Sequence, residues 1–166
     1  MISQQDLDKS MSFEEYYQLN EKLAKEGKST GENQDDTYVN YTKLNFSRMK
    51  RVLKTTPIAE DVSNTVECLN EPLIWVVLAE SWCGDAAQNL PVFAKIAEAN
   101  PSISIRILLR DENETVMNQY LTNGGKSIPK LICLDKDLNE LGTWGPRPKF
   151  LQDWLYKEKA NPTMSM

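Results

Sequence analysis

Trp82-Cys83-Gly84-Asp85-Ala86 holds the residue best suited to do chemistry. It lies between the apolar run Leu73 to Ala79 and a helical stretch. A cysteine placed where a strand ends and a helix begins sits against the helix's free N–H groups. Those donors, with the positive end of the helix dipole, favour thiolate over thiol. The thiolate is the nucleophile of disulfide exchange. A C-x-x-C pair would need cysteine at position 86, and the chain has Ala86. The available chemistry is that of one cysteine with no neighbour to resolve its adducts.

Other residue types narrow the options. Histidine is absent from the 166 residues. That excludes imidazole acid–base catalysis and imidazole metal sites. Cys68, Cys83 and Cys133 lack zinc-site spacing, so no metal and no cofactor is expected. The net charge of −5 argues against general nucleic-acid binding. Leu73 to Ala79 is far short of the ~20 apolar residues of a membrane helix. The opening Met-Ile-Ser-Gln-Gln-Asp has neither the basic nor the apolar region of a signal peptide. With an odd, low cysteine count, these features describe a cytoplasmic protein with no membrane partner.

The elements that must position Cys83 follow from periodicity. Ser12-Phe13-Glu14-Glu15 fits a capping box, and Phe13, Tyr16, Leu19 and Leu23 form an apolar stripe that Gly27 stops. Residues 28–36 form a polar loop, after which Thr37 caps a second helix. Residues 37–57 carry five bases and no acid, which reads as a solvated or acid-paired helix face. A third helix covers 58–69. From residue 72 the pattern becomes β-α-β-α-β-β-α. Leu73–Ala79, Ile103–Leu109, Lys130–Leu134 and Glu140–Trp144 are the strands. Residues 84–99, 112–121 and 149–157 are the helices. The first βαβ unit implies a parallel pair, and the turn at Asp135-Lys136-Asp137 implies an antiparallel hairpin.

That order, with a cysteine at the first strand–helix junction, resembles the thioredoxin fold over roughly residues 58–158. Trp82-Cys83-Gly84 matches the family's W-C-G-P-C start. Pro91 lies eight residues after Cys83, where thioredoxins carry a helix-kinking proline. Ser127-Ile128-Pro129 precedes the third strand, where the family has Ile-Pro with a cis bond. Gly142 falls near the glycine that follows the family's fourth strand. The resemblance implies a three-layer α/β/α fold around a central mixed sheet. Residues 58–166 would form that domain, and residues 1–57 an added helical extension packed on it. Two departures matter. Ala86 removes the resolving cysteine. Val77 stands where many thioredoxins keep a buried aspartate that assists proton transfer.

No other cysteine replaces position 86. Strand geometry places Cys68 roughly 25 Å from Cys83, and Cys133 roughly 13 Å along its strand from Pro129. A disulfide needs Cα atoms within about 7 Å. Cys68 and Cys133 read as buried small hydrophobes, and Cys83 as the reactive thiol. Its pKa is expected to fall toward about 7, less whatever Asp85 opposes. Glu80 is expected to end its strand in solvent.

Two functions follow. In the first, Cys83 is the catalytic nucleophile of monothiol exchange and an external thiol, glutathione among the candidates, resolves the mixed disulfide. Trp82, Gly84, Asp85, Ile128 and Pro129 would bind the protein or peptide substrate, and the role would be cell redox homeostasis. In the second, redox chemistry is lost and a groove at Trp82, Ile128 and Pro129 binds a peptide or protein partner. A buried, weakly acidic Cys83 would favour the second. A cysteine replaced by Ala86 to trap partners is a third origin for the motif.

Overall fold

The computed structural model describes residues 1–160 of the chain. Helices α1 (Gln4–Asp8), α2 (Phe13–Glu26), α3 (Asp36–Thr55) and α4 (Glu60–Glu67) come first. Then follow β1 (Leu73–Ala79), α5 (Gly84–Glu98), β2 (Ile103–Leu109) and α6 (Glu114–Met117). Strands β3 (Lys130–Leu134) and β4 (Glu140–Trp144) and helix α7 (Lys149–Ala160) complete it.

Local chemistry explains these boundaries. In α2 the Ser12 and Glu15 side chains each accept the other's backbone N–H, at 3.2 and 2.7 Å, and Gly27 ends the helix at φ 67°. Helix α3 starts earlier than Thr37 because Asp35 caps it, accepting the N–H groups of Thr37 and Tyr38 at 3.0 and 3.1 Å. Both are good caps, but the carboxylate also complements the helix dipole. Helix α1 was not foreseen. It has one buried residue, Leu7, and rests on its own capping box between Ser3 and Asp6. Helix α6 is shorter than expected. Only Val116 and Met117 are buried there, and Leu121 faces solvent, so no apolar stripe supports a second turn.

The sheet order is β2-β1-β3-β4. Strands β1 and β2 are parallel, with Leu73 opposite Ile103 and Ala79 opposite Leu109. Strand β3 runs antiparallel to β1 and to β4. The hairpin turns where expected: the Asp135 carboxylate accepts the N–H groups of Asp137 and Asn139 at 2.8 and 2.9 Å. In β1, Val76, Val77, Leu78 and Ala79 are all 0% exposed. Side chains alternate across a strand, so both faces of the sheet are covered there. On one face Phe93 of α5 meets Trp75 and Trp144 edge-on, with ring centroids 6.4 and 5.1 Å apart. Pro91 sits inside α5 without ending it. Helix α3 packs along α5 and against α2. The carboxyl end of β1 is thereby fixed between the parallel β2 and the antiparallel β3.

Candidate functional site

Cys83 is the N-cap of α5, with φ −82° and ψ 113°. Its Sγ accepts the Ala86 N–H at 3.4 Å and donates to the Ile128 carbonyl at 3.3 Å. Helix α5 therefore offers a donor that favours the thiolate, while the loop before β3 offers an acceptor that favours the thiol. The residue is only 8% exposed. Burial pushes its pKa up, opposed by the Ala86 N–H. The Asp85 charge raises it further, while the Asp85 N–H and the Arg110 charge lower it. The expected acidic thiol is thus corrected: desolvation outweighs the helix terminus.

Of the other expected residues, Trp82, Asp85 and Ile128 line one cleft with Cys83. Ile128 is 6% exposed and its peptide bond to Pro129 is cis. Gly145 presses on the next peptide, between Pro129 and Lys130: a Cβ there would stand 2.2 Å from the Pro129 carbonyl oxygen. Gly145 follows β4 at φ 116°, so the glycine assigned to that place is Gly145. Gly142 lies within β4 with open space around it. Trp82 is half-buried between the Tyr38 ring, 5.2 Å away and edge-on, and the Arg110 guanidinium, 4.8 Å from its ring centre. Gly84 faces α3: an added Cβ would meet Arg48 Nη1 at 3.1 Å. Asp85 forms an ion pair with Arg147.

A family model described as "Thioredoxin" matches residues 31–161. The chain belongs to this thioredoxin family. Among solved structures it is similar to a protein of unknown function, PA1234, from Pseudomonas aeruginosa. Identity is 17% and the TM-score 0.67, over 96% of this chain and 86% of that one. A structure of an HIV epitope-scaffold is similar at the same identity and TM-score, over 96% and 87% of the two chains. These likenesses show the α/β thioredoxin-like fold. Among curated proteins none matches.

Several neighbours of this site were not legible in the sequence. Glu80, expected in solvent, is 0% exposed. Its Oε1 accepts the Asp111 N–H at 2.9 Å, and its Oε2 has no partner of hydrogen-bond geometry. Burial pushes its pKa up, against the Thr30 hydroxyl and the Asp111 N–H. The reason for its burial is the loop between α2 and α3, which closes over the end of β1. Ser81 Oγ there accepts the Thr30 N–H at 3.0 Å and lies 2.8 Å from Thr42 Oγ1 and 3.3 Å from Ser29 Oγ. Asn45 donates to the Ser81 carbonyl at 3.1 Å. Hydroxyl-bearing residues spread over three segments gave no local pattern.

The remaining cysteines also depart from expectation. Cys68 is exposed, at the C-cap of α4, where only Val66 turns inward. Cys133 is half-buried on β3 opposite Trp75. Among the described residues no group of three or more His, Cys, Asp or Glu side chains could hold a metal ion. None of their helices is long and apolar enough to cross a membrane.

Proposed function

We propose that the protein carries out monothiol thiol–disulfide exchange through Cys83 in a reducing, cytoplasmic setting. The observation that carries this reading is the sulfur at the α5 N-cap, in bonding distance of both the Ala86 N–H and the Ile128 carbonyl. The Cys83 thiolate attacks one sulfur of a substrate disulfide. That S–S bond breaks, a mixed disulfide forms at Cys83, and the leaving thiolate takes up a proton. With Ala86 in the first turn of α5 there is no internal attacker. An external thiolate must attack the mixed disulfide and return Cys83. The role would be in thiol homeostasis.

A second reading has its own support. Cys83 is buried and its pKa is pushed up, which favours a redox-silent module that binds a partner around Trp82, Ile128 and Pro129.

Turnover of a mixed disulfide with excess glutathione separates the two. Exchange is expected through the external thiol and lost in Cys83→Ser. Reduction of insulin with a thioredoxin reductase should be very poor, and Ala86→Cys should raise it by supplying the second thiol. Glutathione-dependent turnover that survives Cys83→Ser would remove this cysteine from the mechanism. No turnover, with Cys83 slow to alkylate, would overturn the exchange reading and favour the binding module.

A further inference from the structure

The wall of the site has a sign that the whole chain does not. A cleft of about 290 Å³ opens beside Cys83. Its charged lining is Arg110, Lys126, Arg147 and Lys159, with Asp85 the single acid. Four bases against one acid make this cleft positive on a chain whose net charge is −5. The acid is already matched, since Asp85 pairs with Arg147. Arg110 is held in place over the Trp82 ring, donates to the Lys126 carbonyl at 3.3 Å and pairs with the Asp111 carboxylate at 2.7 Å. Lys126 meets Glu114 in an exposed pair, and such pairs hold weakly and exchange readily.

We propose that this cleft selects a small thiol or disulfide that carries carboxylates. Its carboxylates would lie on Lys126 and Lys159, and its sulfur at Cys83. Size supports a small molecule over a folded partner, because the volume lies at the lower end of small-ligand sites. Charge sets the class. Bases around a pocket raise the local concentration of an anion and repel a cation, an effect that salt screens. The inference rests on the monothiol reading. In the exchange the Cys83 thiolate displaces one half of an anionic disulfide. That half leaves as a thiolate and takes a proton from water, and a second molecule of the same thiol class restores Cys83.

Three disulfides test it: anionic glutathione disulfide, neutral hydroxyethyl disulfide and cationic cystamine. Mixed-disulfide formation at Cys83 is followed by mass spectrometry in a Cys68→Ser background. Each rate is normalised to that of the same disulfide with 2-mercaptoethanol. Glutathione disulfide should react roughly tenfold faster than cystamine at low salt. The ratio should fall toward one at high salt and in Lys126→Glu/Lys159→Glu. The milder Lys126→Gln/Lys159→Gln should lie between, and thermal unfolding of each variant checks its fold. Equal rates, or faster cystamine, would overturn the anionic selectivity and leave monothiol exchange standing. No mixed disulfide with any of the three would overturn the exchange reading and this inference with it.

Discussion

At Cys83 two local effects oppose each other, and their balance sets how the thiol behaves. The N-terminus of α5 donates one N–H to the sulfur, but the side chain is removed from water and lies beside a carboxylate. The alkylation rate of Cys83 should keep rising through pH 9, because a raised pKa leaves little thiolate at neutrality. Asp85→Asn should speed alkylation at pH 7 by roughly two- to tenfold. It removes a charge that opposes the thiolate and frees Arg147. Iodoacetamide kinetics in a Cys68→Ser background measure both. A plateau below pH 8, or no effect of Asp85→Asn, would contradict this balance. The sequence revealed the cysteine and its place on a helix terminus, since both depend on neighbours in the chain. It could not reveal desolvation. The Ile128 loop, Arg110 and the α2–α3 loop reach this region from segments distant in the sequence.

Among the elements, strands were the most legible. The four strands announced themselves as apolar runs with turn residues between them, and their parallel and antiparallel pairing followed from connection length. Two glycines show what adjacency cannot tell. Gly84 and Gly145 both touch the site, one from α5 and one from the end of β4. At Gly84 an added methyl meets the flexible tip of Arg48. At Gly145 it meets the backbone of Pro129, at φ 116°. Gly145→Ala should cost about 2–4 kcal/mol, from backbone strain and a steric clash that no side-chain rotation relieves. Gly84→Ala should cost under about 1 kcal/mol. Urea unfolding of the two variants compares them directly, and equal losses would refute the assignment of Gly145 as the support of the Pro129 loop.

For the molecule as a whole, the buried carboxyl of Glu80 links stability to pH. Its folded pKa is raised, so the fold keeps the proton to higher pH than the unfolded chain does. The stability tied to the neutral form is full below the ordinary glutamate pKa. It is lost as pH rises through the folded value. Glu80→Gln keeps an acceptor for the Asp111 N–H and cannot ionise. The variant should match the parent at low pH and exceed it at neutral pH, as read by chemical denaturation across pH 4–8. A gap that shrinks with rising pH would reverse the assignment.

Strand β2 is the outer strand on one side of the sheet. Its Ile107 exchanges backbone hydrogen bonds of 2.8 and 2.7 Å with Met11. Met11 thus occupies one position in an open row of donors and acceptors on which another molecule could add a strand. Arg106 on the same strand is exposed and charged, a second obstacle to stacking. Removing residues 1–11 while keeping the Ser12 cap should uncover this row. The shortened chain should then self-associate with rising concentration in light scattering. Scattering unchanged from the full chain would mean that Arg106 alone guards the sheet. These first residues therefore act against aggregation, a task separate from anything the thiol does.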